Sequence, residues 1–188
     1  MTSDPTSDPT SDPTSDPTSD PMDDVAGPLP ARDDYYMALA FTASRRANCR
    51  GRRVGAVLVK EDRVIATGYN GTPEGLPNCL DGGCLRCADR DRFESGTHYD
   101  LCICVHAEAN ALLTAGRYGA STDATTVYTT DQPCFACSKQ LIQAGVVKVY
   151  YARTWRPDPR VVDDYRSLQT RLSSEHVPTE YEIVDLGS

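Results

Sequence analysis

Eight cysteines in a chain of 188 residues are the main constraint on what it can fold into, because each needs a use. They fall into two sets. Cys134 and Cys137 stand three apart just after Pro133, while Cys79, Cys84, Cys87, Cys102 and Cys104 crowd the stretch from Gly71 to Cys104, with Cys49 before it. That stretch carries Gly and Pro and little hydrophobic periodicity, and a loop so long inside a compact domain needs something to pin it. The N-terminus has neither the basic start nor the apolar stretch of a signal peptide, and no apolar run approaches a membrane span. The chain is therefore expected to be cytoplasmic, where structural disulfides do not persist. Metal is then the leading use for the thiols.

Residues 2–21 are five copies of Thr-Ser-Asp-Pro, a segment with no residue able to build a core. Residues 1–30 are expected to be a disordered tail and residues 31–188 one domain. The tail also explains the charge of −8. Seven of the 27 acidic residues and no Lys or Arg precede residue 25, which leaves 20 acidic against 19 basic residues. A near-neutral body gives no general footprint for duplex nucleic acid, so a nucleic-acid partner is not expected.

Beyond Pro28 and Pro30, helical spacing of Tyr35, Tyr36, Leu39, Ala40 and Ala43 predicts a helix from Asp33 to about Ala47, with Asp33 or Asp34 as N-cap. Val54–Val59 and Val64–Tyr69 flank a charged corner and predict a hairpin. Helices are expected at His106–Arg117, at Phe135–Ala144 closed by Gly145, and at about Asp158–Leu172. Strands are expected at Thr125–Thr130, Val146–Ala152 and Tyr181–Val184. The order β-β-α-β-α-β-α-β implies an α/β fold, one sheet with helices on its faces.

His106-Ala107-Glu108 opens one predicted helix and Pro133-Cys134-Phe135-Ala136-Cys137 opens the next. Cysteines three apart in a first helical turn point the same way and can share a tetrahedral ion, and the helix N-terminus favours their thiolates. His106 supplies a third ligand, leaving one position for water. Zinc there would bring the pKa of that water to roughly 7 and give a hydroxide nucleophile. Glu108, near the ion but not bound to it, can take the water proton, pass it to a ring nitrogen and protonate a departing amine. This His-x-Glu and Pro-Cys-x-x-Cys pairing is the signature of zinc-dependent deaminases. Without the His-x-Glu, the two cysteines alone would suit a thioredoxin-like redox pair equally well.

From about Asp33 to Leu172 the chain resembles the cytidine/deoxycytidylate deaminase superfamily, and most closely its dCMP deaminase branch, through Thr67-Gly68-Tyr69-Asn70-Gly71. The resemblance implies a cytidine-deaminase-like three-layer α/β/α fold with a mixed five-stranded sheet. It also implies a homo-oligomer and zinc-dependent hydrolytic deamination of dCMP to dUMP and ammonia, and it makes Asn70 a binder of the substrate sugar. Tyr-Asn-Gly after a strand is equally ordinary turn chemistry. For the nucleotide phosphate, Arg117 is one candidate and Arg50, Arg52 and Arg53 form another. Tyr128 and Trp155 could pack on a pyrimidine ring or simply belong to the core.

Cys84-x-x-Cys87 and Cys102-x-Cys104, with Cys49, Cys79 and His98 nearby, argue for a structural zinc that replaces a missing core. Microbial dCMP deaminases carry a second zinc at positions like Cys49 and Cys79, but here the thiols outnumber the ligands of one tetrahedral ion. Either one ion takes four or two ions share the group. Other readings are a deaminase of a different cytosine or purine nucleotide, nucleoside, tRNA adenosine or secondary metabolite, and a non-catalytic zinc-scaffolded competence-type binding protein. Intact Glu108 speaks against the last.

Overall fold

The β-branched run Gly55–Lys60 (β1) pairs antiparallel with Arg63–Tyr69 (β2) on one side and with Thr126–Asp131 (β3) on the other. The computed structural model describes residues 29–93 and 101–178. Lys148–Arg153 (β4) lies parallel to β3, and the two-residue Glu175–His176 (β5) lies parallel to β4, giving a mixed five-stranded sheet ordered β2-β1-β3-β4-β5.

Alternate residues of β1 serve opposite faces, which is why the strand is apolar and buried from Gly55 to Val59. Val57 and Val59 pack with Tyr128 under Tyr36, Met37 and Ala40 of Arg32–Ser44 (α1). Ala56 and Leu58 join Val127 and Val149 under Ala107, Ala111 and Ala115 of Ala107–Arg117 (α3) and Leu141 of Phe135–Gln143 (α4). Val162–Arg171 (α5) packs beside α4, and a short helix, Leu85–Ala88 (α2), interrupts the cysteine-rich stretch. The layers are α1, the sheet, and α3 with α4 and α5.

Two glycines set how closely the helices approach the sheet. A Cβ on Gly68 would lie 2.2 Å from the Ala107 carbonyl oxygen and 2.4 Å from the Ala111 nitrogen, and one on Gly55 would lie 2.0 Å from the Ala40 carbonyl oxygen. Backbone therefore meets backbone at both crossings, and Gly68 fixes the depth at which α3 sits.

Several expectations are revised. Ala31, not Asp33 or Asp34, is the N-cap of α1, and Asp33 instead accepts a hydrogen bond from the Tyr128 hydroxyl. The expected Asp158–Leu172 helix begins as a 3-10 turn, Pro159–Val161, before α5. The fifth strand is Glu175–His176; the expected strand at Tyr181–Val184, the repeat tail to residue 28 and His98 lie outside the described residues. No helix among the described residues is long and apolar enough to cross a membrane.

Candidate metal centre

The N-termini of α3 and α4 converge at the carboxyl end of β3, where a parallel sheet presents its ligand sites. His106 is the N-cap of α3 and Cys134 that of α4, and neither side chain caps its own helix. Positions that usually hold Ser, Thr, Asp or Asn are thus given to two metal-ligating types. The His106 Nδ1 lies 3.4 Å from the Cys134 sulfur and 3.4 Å from the Cys137 sulfur. All three ligand atoms fall within 4.8 Å of one another. Zinc bound to sulfur at about 2.3 Å and to nitrogen at about 2.0 Å spaces such donors roughly 3.6 Å apart in a tetrahedron, so the donor set fits the ion.

The electrostatics point the same way. Hydrogen bonding with Cys137 lowers the Cys134 thiol to about 4, with His106 contributing, and the same bond raises Cys137. Hydrogen bonding to Cys134 raises His106 to about 9. Ligands of these types bind a divalent cation in their deprotonated forms, so the ion would displace their protons. Glu108, 4% exposed and in the first turn of α3, is raised to about 7 by burial, and it interacts with both His106 and Cys137.

The turn that carries Cys134 is braced from α4 and α5. Tyr165 donates its hydroxyl to the Pro133 carbonyl at 2.7 Å, the Ser138 hydroxyl donates to the Cys134 carbonyl at 2.9 Å, and the Gln169 amide donates to Ser138 at 2.8 Å. Sequence reading missed all three, since nothing near Tyr165 or Gln169 in the chain signals contact with a turn some thirty residues earlier. A cleft of about 600 Å³ opens beside the site, lined by His106, Cys134, Cys137, Phe135, Trp155 and Gln140 among others.

Other expected site residues separate. Asn70 is 8% exposed; its oxygen accepts from the Val54 N–H at 2.8 Å and its amide donates to the Arg52 carbonyl at 2.8 Å. These bonds pin the entry to β1. Asn70→Ala is therefore expected to destabilise the fold by about 2 kcal/mol, measured as a lowered denaturant midpoint at unchanged slope; an unchanged midpoint would show that the bonds contribute nothing. Arg117 ends α3, about 15 Å along the helix axis from its N-terminus. It pairs with Glu74 at 3.1 Å, 70% exposed, and the structure does not bring it to the site. Arg52 and Arg153 both reach Asp131, three residues before Cys134. Arg50 and Arg53 line a separate cleft of about 550 Å³ with Cys49 and Cys87. Tyr128 belongs to the core under α1, whereas Trp155 lines the cleft beside the metal ligands.

Cys49, Cys79, Cys84, Cys87 and Cys104 are buried and form a core cluster of their own, with Cys102 packed against it. They pin the long loop, which Gly71 and Val105 also clamp through an isolated antiparallel bridge.

The sequence profile of the cytidine and deoxycytidylate deaminase zinc-binding region matches residues 30–153. The chain is 50% identical over 129 residues to a deoxycytidylate deaminase of Saccharomyces cerevisiae, a match that covers 69% of this chain and 40% of that protein. It is 35% identical over 154 residues to ComE operon protein 2 of Bacillus subtilis, covering 82% of this chain and 75% of that one. The fold is similar to the crystal structure of dCMP deaminase from cyanophage S-TIM5 in complex with dCMP and dUMP, with a TM-score of 0.62, 33% identity, and coverage of 80% of this chain and 100% of that one. The chain spans less than half the length of the yeast relative.

Proposed function

Because this chain belongs to the cytidine and deoxycytidylate deaminase zinc-binding family, we propose that it hydrolyses dCMP to dUMP and ammonia. The observation that carries this reading is the single imidazole nitrogen 3.4 Å from each of two thiol sulfurs, with Glu108 buried alongside. His106, Cys134 and Cys137 are the residues that would hold zinc. When bound, the ion polarises water enough for it to lose a proton near neutral pH.

Glu108 then does the proton work. Its carboxylate takes one proton from water as oxygen adds to C4 of the cytosine and gives it to the ring nitrogen N3; it then takes the remaining proton from the new C4 hydroxyl and delivers it to the amino group as the C4–N bond breaks and the C4 carbonyl forms. Burial suits it to this shuttle, since a carboxyl shielded from solvent exchanges protons with its neighbours rather than with bulk water. Trp155, lining the cleft, offers an apolar face to the base. Asn70 is proposed to reach the sugar with the donor and acceptor capacity left over from its backbone bonds. For the phosphate, Arg52 is better placed than Arg117, because it lies beside Asp131 on the approach to Cys134. The chemistry is confined to the domain from residue 31 onward.

The six remaining thiols are proposed to hold structural zinc in place of an apolar core. All eight cysteines are unpaired, which suits a reducing, cytoplasmic setting. Leu113 and Tyr118 on the outer side of α3, 64% and 79% exposed, are surface that a second copy in a homo-oligomer would cover.

Ammonia release measured over cytosine and adenine nucleosides and nucleotides tests the reading. The expected outcome is a kcat/KM for dCMP at least about tenfold above deoxycytidine, the difference that one charge-assisted contact to phosphate supplies. A preference for the nucleoside or for an adenine substrate would reassign the substrate. Tight nucleotide binding without ammonia release would favour a binding protein instead.

A further inference from the structure

We propose that the six thiols outside the catalytic centre form a dinuclear, thiolate-bridged zinc cluster in which Cys79 and Cys104 bridge two ions. The proposal rests on reading these thiols as zinc ligands and is independent of the deaminase chemistry.

The argument starts from two sulfur–sulfur distances. Cys49 and Cys87 are 3.9 Å apart, and Cys84 and Cys102 are 3.8 Å apart. Four thiolates around one zinc at about 2.3 Å are separated by about 3.8 Å along each edge of the tetrahedron. Each pair therefore has the spacing of one edge of a zinc site, and the pairs share no residue. A disulfide would need far shorter separations, and none of these thiols is paired that way. A cubane iron–sulfur cluster would push its cysteine sulfurs farther apart, because irons and sulfides lie between them.

The other two thiols lie against both edges. The candidate ligand groups are Cys49 with Cys79 and Cys104, Cys79 with Cys84 and Cys87, and Cys84 with Cys102 and Cys104, each within 4.8 Å. Cys79 thus lies close to Cys49 and Cys87 of the first edge and to Cys84 of the second. Cys104 lies close to Cys84 and Cys102 of the second edge and to Cys49 of the first. Cys79 and Cys104 are also within 4.8 Å of each other. With two bridging sulfurs serving both ions and two terminal sulfurs on each, every zinc has four ligands and no thiol is left over. A single ion would satisfy one edge and leave the other buried without metal.

The charge balance is acceptable. Two divalent ions and six thiolates leave the cluster at −2. Backbone N–H groups of Arg50 and Gly51 point to the sulfurs of Cys79 and Cys49, each at 3.3 Å. Hydrogen bonds to sulfur stabilise thiolate charge.

The test is metal stoichiometry of the full chain together with cadmium substitution. Wild-type protein is expected to hold three zinc ions per chain, and the double variant Cys134→Ala, Cys137→Ala is expected to hold two. After replacement by ¹¹³Cd, the cluster should give two resonances that split each other through the bridging sulfurs, with a third, uncoupled resonance from the His106 site. Cys79→Ser should reduce the splitting and the double variant Cys79→Ser, Cys104→Ser should abolish it, whereas Cys102→Ser should leave it. One zinc or none in the double variant, or two cluster resonances without mutual coupling in wild type, would overturn the proposal. Two zinc ions in both wild type and double variant would instead count against the catalytic centre and leave the cluster standing. If the double variant fails to fold, the coupling in wild type decides alone.

Discussion

Replacing Glu108 with Gln is expected to leave zinc content unchanged while lowering kcat for ammonia release by about 10³-fold or more. The substitution keeps the side chain's shape inside a pocket where it is 4% exposed, so packing and the approach of α3 should persist. It removes the buried carboxyl beside the His106, Cys134 and Cys137 set that is proposed to accept and return protons, and the proposed reaction needs that service twice. A side chain that only stabilised charge would lose less, and its loss would show in KM as well as kcat. The discriminating measurement is therefore single-turnover kinetics with zinc determined on the same sample. Turnover within tenfold of wild type would assign the proton transfers elsewhere; lost zinc would show that Glu108 supports the ligands rather than the chemistry.

That centre was legible in the sequence because its parts are local. A histidine two residues before a glutamate at a helix start, and two cysteines one turn apart after a proline, each fix their own geometry through the first helical turn. Only their meeting had to come from the fold, and the β-α-β order already implied it. The hairpin, α1, α3 and α4 were legible for the same reason, each carrying its period over several residues, whereas the mixed order of the sheet followed from the family resemblance. Arg117 lies about 15 Å along the helix axis from the N-terminus of α3, a separation already implied by reading 106–117 as a helix. Asn70 stood between two readings, and its hydrogen bonds to Arg52 and Val54 come from residues 16 and 18 positions away that no local pattern reveals. Tyr165, Ser138 and Gln169 carry no motif at all. β5 has two residues, too few to show alternation, and is defined only by the edge of β4 that it meets. For the thiol cluster the sequence supplied the ligands and their excess, but the partition needed distances.

The glycine of the Gly-Tyr-Asn-Gly segment has a separate role, and Gly68→Ala tests it. We expect the substitution to destabilise the chain by about 3 kcal/mol and to lower kcat/KM of the folded protein by about 10²-fold. The added methyl meets the Ala107 carbonyl at 2.2 Å and the Ala111 nitrogen at 2.4 Å, both backbone atoms that no rotamer change can move. Relief requires α3 to rise from the sheet, and α3 carries both His106 at its cap and Glu108 in its first turn. Displacement there would misalign the proposed proton shuttle with the sulfurs of α4, whose turn is held separately by Tyr165 and Ser138. Gly116→Ala is the control, since it adds a methyl to the same helix with nothing within 4 Å and should be neutral or stabilise by up to about 1 kcal/mol. Urea unfolding of both variants separates the crossing from the helix itself. Equal stability in the two variants would mean that the close approach of β2 and α3 does not set the position of the catalytic helix.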